Sequence, residues 1–197
     1  MDNVLLKPEG LRERKRRQTL QRIAEVGLSL FLRKGYDATT LDEIAAAAGI
    51  SRRTFFYYFK SKDEVLLAYL GGYAVTLKAL VLESAAAGEP PDVARAALLK
   101  IVASFPETQM IATARLIRES KVLQARRHAT YLQLEQAIYE GLCELWPQKQ
   151  RRDGLRLVAM ASIGALRLAS DAWLRQDGKR PLAKGIRDAF RILKAEI

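Results

Sequence analysis

Positions 51–60 read SRRTFFYYFK, and the side chains of this run divide by chemistry. Phe55 and Phe59 stand four apart and so share one face of a helix, which turns Arg52, Arg53, Thr54, Tyr57 and Tyr58 outward. Two guanidiniums, a hydroxyl and two phenols on an exposed helix suit the major groove of a duplex. Arginine donates two bonds to guanine O6 and N7, and each such pair carries about 1–3 kcal/mol of discrimination. Arg52 and Arg53 are therefore the expected readers of sequence.

Such a face needs a rigid mount, and the preceding residues supply one. Thr40 with Glu43 forms a capping box that starts a short helix ending at Gly49. Leu41, Ile44, Ala45 and Ala48 give that helix an apolar underside, and Gly49 permits the tight corner after it. Ser51 then caps the next helix through about Tyr58, and Ser61 with Glu64 caps a fourth. A capped helix, a glycine corner and a second capped helix make the layout of a helix-turn-helix. Ahead of it, Leu20, Ile23, Ala24, Gly27, Leu30 and Phe31 recur at spacings of three and four, which predicts a first helix over 11–34.

The stretch from Arg12 to Leu70, above all GYDATTLDEIAAAAGISRRTFFYYFKSKDEVL, resembles the DNA-binding domain of the TetR (tetracycline-repressor) family. The resemblance covers about a third of the chain. It implies that Thr40 and the amides at its helix start hold phosphate, as Ser51 opens the recognition helix. It further implies that Thr54 lies near bases or phosphate, that Tyr57, Tyr58 and Lys60 bind backbone, and that Lys62 supports them. Two positions depart from the family pattern: Arg53 stands where Gly or Pro is common, and Phe56 where Tyr is common. Arg53 extends base readout, whereas Phe56 lacks the hydroxyl for a phosphate bond.

Arg12, Arg14, Lys15, Arg16 and Arg17 place five cations within six residues. The preferred reading is an arm reaching backbone or minor groove through Arg14, Arg16 and Arg17; the alternative is a solvated helix start. Charge agrees with a polyanionic partner: 33 Lys+Arg against 22 Asp+Glu give a net +11, and the excess is denser per residue over 1–60.

The rest of the chain also reads with helical period, and no run alternates as a strand does. The expected fold class is all-α: an N-terminal three-helix helix-turn-helix domain over 1–61 and a larger helical domain over 62–197, about nine helices in total. The fourth helix runs from Lys62 to about Ala87. Further helices are expected at 92–105, 107–119, 121–146, 150–176 and 182–196, punctuated by Pro106, Pro147 and Gly178–Pro181.

A short recognition helix reads few base pairs, so a homodimer on a palindromic operator is expected, its half-sites about 34 Å or a multiple apart. The helix over 150–176 is apolar on more than one face. Leu157, Ala161, Ala165, Leu168 and Ala172, with Ile186, Phe190 and Ile197 of the last helix, are the expected dimer interface; packing within one chain is the alternative.

The resemblance places a pocket for an unidentified small-molecule effector among the helices of 62–176. Phe105, Met110, Arg115, Leu116, Tyr131, Tyr139, Met160 and Trp173 are its candidate lining, although each also reads as ordinary core. Arg115, Arg118, Lys121, Arg126, Arg127 and His128 form a basic cluster, either a solvated face or a seat for an anionic or acyl-carrier-like ligand. Gly71 and Gly72 interrupt the fourth helix, either as a hinge or as a close-packing site.

The function classes excluded are few but clear. One His, one Cys, no HExxH and no Gly-rich phosphate loop argue against an enzyme, a metal site or a bound cofactor. The lone Cys143 and the polar N-terminus lead to an expectation of a cytoplasmic protein. No apolar run comes near the roughly 20 residues that span a bilayer, so no membrane partner is expected. What remains is a DNA-binding transcription regulator, read as a repressor that releases its operator when the effector binds; an activator, a partner-binding helical module and a basic protein that coats DNA without sequence preference are the alternatives.

Overall fold

A computed structural model of the chain describes residues 10–119, 121–176 and 178–196. Within them lie nine α-helices and no strand: α1 (Leu11–Lys34), α2 (Leu41–Ala47), α3 (Arg52–Tyr58), α4 (Lys62–Glu83), α5 (Pro90–Ala103), α6 (Glu107–Glu119), α7 (Lys121–Leu145), α8 (Arg152–Arg175) and α9 (Leu182–Glu196). The chain divides into two compact units, and the division between Tyr69 and Leu70 falls inside α4.

The first unit is built on α1, α2, α3 and the start of α4. Ile23, Ala24, Leu28 and Phe31 of α1 are buried, as are Ile44 and Ala45 of α2, Phe55 of α3, Phe59 just beyond it, and Val65 and Leu66 of α4. Gly27 is what lets α1 and α4 approach: a Cβ there would lie 2.4 Å from Val65 Cγ1. Gly49 has φ +66, the left-handed conformation that the corner between α2 and α3 requires.

The second unit has one continuous apolar core. α8 packs chiefly against α7, α9 and α5, burying Leu155, Ala159, Ile163, Leu166 and Ala169. Gly141 brings α7 onto α4, since its Cβ would meet Val81 Cγ1 at 2.8 Å. Beside that contact, Lys78 Nζ lies 2.6 Å from Glu144 Oε1 and 3.4 Å from Glu140 Oε2. The Glu144 hydrogen bond is the main reason why the ammonium pKa is raised.

The boundaries around the fourth and fifth helices differ most clearly from the expected ones. α4 ends at Glu83, and Ala85–Ala87 form a separate 3-10 turn before Gly88, whose φ is +110. α5 begins at Pro90 because Pro90 and Pro91 take the first helical positions, where an amide would have no partner anyway.

The expectation that no segment nears membrane-spanning character is corrected. α4, and α8 with the turn before it, are long and apolar enough by length and composition, with mean hydropathy of 1.8 and 1.3, and 33% of each window is buried. Part of the reason is visible on α8, where Leu157 and Leu168 are 65% and 57% exposed and Met160 also faces outward.

Candidate nucleic-acid interface and effector cavity

α3 is capped as its sequence predicts. Ser51 Oγ accepts from the Thr54 amide at 3.1 Å and lies 2.8 Å from Thr54 Oγ1. Phe55 and Phe59 turn inward and stack at 5.9 Å. Arg52, Arg53, Thr54 and Tyr57 stand outside, Tyr57 being 75% exposed, while Tyr58 is half-buried with its ring edge-on to Tyr57 at 5.1 Å. The outward face read from the spacing is therefore the exposed face of the fold.

The residues around α3 are locked by hydrogen bonds within the first unit. Thr40 Oγ1 accepts from the Glu43 amide at 3.2 Å, and the Thr40 amide donates to Glu43 Oε2 at 2.9 Å, so the Thr40 side chain is committed to its cap. Lys34 also pairs with Glu43. The Lys34 hydrogen bond, followed by those of Thr40, lowers the Glu43 pKa to about 2. Lys62 Nζ donates to the carbonyls of Tyr36 and Asp37 at 2.7 and 3.2 Å and lies 4.7 Å from the Tyr36 ring centre. Tyr36 in turn donates to Asp63 at 2.7 Å; burial first, and that carboxylate second, push its phenol pKa up. Lys62 is thus a brace for the loop before α2, while the Lys60 amide is taken by Glu64 Oε2 at 2.7 Å and its side chain is exposed.

Arg14, Arg16 and Arg17 take helical rather than extended conformation. They occupy the first turns of α1, where Arg16 pairs with Glu13 at 3.2 Å. Helix propensity explains this: Arg, Lys, Glu and Gln dominate positions 12–18, and all favour helix.

In the second unit a cavity of about 520 Å³ is lined by Leu70, Ala114, Ile117, Leu174 and Leu182, with Arg118, Gln124, Thr130, Tyr131, Ser170 and Trp173. Tyr131 and Trp173 of the expected lining are in its wall. Phe105 and Met110 line a smaller neighbour of about 150 Å³, which shares Leu70, Ala114 and Ile117 with it. Among the described residues, the buried Trp173 Nε1 has no hydrogen-bond partner. The remaining candidates lie elsewhere. Arg115 is exposed and Leu116 half-buried; Tyr139 lies under Arg156, whose Cζ is 3.8 Å from its ring centre; Met160 faces outward. Among the described residues, Arg118 is the member of the basic cluster that lines this cavity. His128 is exposed, and the side chains of Lys121, Arg126 and Arg127 lie outside the described residues, as does Ile197.

The expected dimer residues separate into two sets. Leu157 and Leu168 are exposed, and Ala161 and Ala172 are partly so, whereas Ala165, Ile186 and Phe190 are buried in the chain's own core. Helical phase accounts for the split, because Ala165 shares the inward stripe of Ile163, Leu166 and Ala169. Ile192 of α9, 53% exposed, was missed by the sequence reading, although its place two residues beyond Phe190 puts it on another side of the helix.

Residues 23–69 match the family described as bacterial regulatory proteins, tetR family. Residues 88–197, more than half of the chain, match the MftR C-terminal domain. The chain belongs to the TetR family of transcriptional regulators. Among TetR-family relatives, it is 29% identical over 185 residues to a candidate mycofactocin biosynthesis transcriptional regulator, MftR, of Mycobacterium tuberculosis, covering 92% of each chain. It is 43% identical to the regulator TcmR of Streptomyces glaucescens over 82 residues, which span 42% of this chain and only 36% of that protein. The crystal structure of Thermus thermophilus FadR, a TetR-family transcriptional repressor in complex with lauroyl-CoA, is similar with a TM-score of 0.61 and 26% identity, over 88% of this chain and 92% of that one. These TetR-family proteins are transcriptional regulators and not enzymes.

Proposed function

We propose that this regulator is a homodimeric repressor that holds a palindromic operator and releases it when a small molecule enters the cavity of its second unit. DNA binding falls to the first unit, with Arg52 and Arg53 at base edges and Thr54, Tyr57, Tyr58 and Lys60 toward backbone. Effector binding and pairing fall to the second. One observation carries the reading: a single chain combines an exposed arginine- and tyrosine-bearing helix with a largely apolar cavity of about 520 Å³, a usual size for a small-molecule site. The apolar stripe of Leu157, Met160 and Leu168 on α8 supplies the pairing surface.

An acyl-CoA is the effector class that the cavity and the likeness to Thermus thermophilus FadR jointly favour. Apolar walls accept the acyl chain, and Arg118 offers a charge to its anionic part. The effector weakens operator binding by the difference of its affinities for the two conformations.

Selection of bound duplexes from a random pool tests the first half; an inverted repeat is expected, with half-sites about 34 Å or a multiple apart. Light scattering at micromolar concentration is expected to give twice the 22.1 kDa chain mass. Titration of the selected complex with lauroyl-CoA is expected to release DNA. A stable monomer, or a protein indifferent to duplex sequence, overturns the reading.

A further inference from the structure

Arg52 has a carboxylate on one side and an aromatic ring on the other before any DNA arrives. Its Nε lies 3.1 Å from Asp42 Oδ1 on α2. Its Cζ lies 5.5 Å from the ring centre of Phe56, one turn further along α3. The pair is open to solvent, with side-chain exposures of 72% for Arg52 and 56% for Asp42, so it adds little to stability. Its geometry, however, matters for readout. Guanidinium is a planar fork with five donors, and engaging it at Nε leaves the Nη1 and Nη2 edge turned away from the carboxylate. Two parallel donors on one edge are what guanine O6 and N7 accept.

A long, flexible side chain loses rotamer freedom when it fixes on a base, and prior fixing removes part of that cost. Phe56 contributes a flat face on which guanidinium stacks. That gives a use to the ring standing where a hydroxyl-bearing residue is common in the family.

We infer that Asp42 and Phe56 are specificity-determining positioning residues, which hold Arg52 with its terminal edge presented to one guanine in each half-site. This rests on the proposed reading of α3 as the recognition helix. Asp42 acts in two opposite directions. Its charge opposes nearby phosphates and so weakens binding to every duplex alike, while its hold on Arg52 sharpens the choice of base. A merely electrostatic or structural role would not produce both.

The test compares wild type with Asp42→Asn, Phe56→Ala, Arg52→Ala and the double variant Asp42→Asn/Arg52→Ala, by random-pool selection and by titration against an unrelated duplex. Arg52→Ala is expected to erase one guanine preference per half-site. Asp42→Asn is expected to reduce that same preference roughly five- to tenfold, with unrelated duplex bound as tightly or more so. Phe56→Ala is expected to reduce it about threefold, and Asp42→Asn is expected to change no base preference once Arg52 is absent. Asn is nearly isosteric with Asp, and an unchanged helical dichroism spectrum and melting curve separate a readout defect from misfolding. A selective wild type whose guanine preference survives Asp42→Asn overturns this inference alone. A wild type that selects no sequence overturns the repressor reading and the inference together.

Discussion

In the unit up to Tyr69, functional side chains sit within short, named hydrogen bonds: Ser51 to Thr54, Thr40 to Glu43, Lys62 to the Tyr36 and Asp37 carbonyls. In the unit from Leu70, the central feature is a space walled mostly by apolar groups, with an indole N–H that has no acceptor among the described residues. The first arrangement presents fixed donors to a partner of fixed geometry. The second keeps a volume open and leaves the shape of its occupant to packing. On the proposed reading, a helix that reads bases needs positional accuracy, whereas a chamber that senses small molecules needs room.

The sharpest way to break this contrast is through the core of the first unit. Phe55→Ala removes a fully buried ring and is expected to cost about 3–5 kcal/mol. Hydrogen exchange should show lost protection in α1–α3 with the second unit intact; uniform loss across both would mean that the two do not act separately. Next comes pairing: Leu157→Glu with Leu168→Glu places charge on the exposed face of α8. Light scattering should then report a monomer, with operator affinity about a hundredfold lower as two half-sites no longer bind together.

Filling the chamber should spare the reader and blind the sensor. Ser170→Trp puts an indole into the cavity wall, and effector potency is expected to fall at least about tenfold while operator affinity changes less than threefold. Gly71→Ala refines the role of the α4 glycines. Among the described residues, a Cβ at Gly71 would find only Gln133 Oε1, at an ordinary contact distance of 3.7 Å, so none of them packs tightly on that position. The variant is expected to gain about 0.5–1 kcal/mol in denaturant unfolding, and a simultaneous loss of induction would mark a hinge. The smallest effect concerns acid. Glu43 has its folded pKa lowered to about 2 from 4.5 by Lys34 and Thr40. Its contribution is therefore full above about pH 4.5 and lost as pH falls toward about 2. Glu43→Gln should flatten the stability profile of the first unit in that window, modestly because the pair is exposed.

These two kinds of construction also explain what could be read from the chain beforehand. Capping boxes, the Gly49 corner and the Phe55/Phe59 spacing are local, so the caps at Thr40 and Ser51 and the outward placement of Arg52, Arg53 and Tyr57 were legible from neighbours within four residues. Helix limits and the apolar stripes were legible for the same reason. The cavity depends on which helices cross and at what distance, and those crossings are set by contacts such as Gly141 on Val81, sixty residues apart. Hence Tyr131 and Trp173 were found by bulk alone, whereas Tyr139 and Leu116 were equally bulky and lie elsewhere. Arg118 was legible only as one cation of a cluster of six, since charge alone does not say which of them turns toward a cavity. The split of the dimer set followed from helical phase, which a helix apolar on several faces conceals. The helical conformation of Arg14, Arg16 and Arg17 follows from helix propensity, which a reading by charge leaves aside.

The wall position of Trp173 has a practical consequence. The chain contains two tryptophans, and the other, Trp146, is not among the residues lining that chamber. Replacing Trp146 with Phe would leave a single emitter beside the bound molecule, so the wavelength and intensity of intrinsic fluorescence would follow occupancy directly, with no label attached and no DNA in the cuvette.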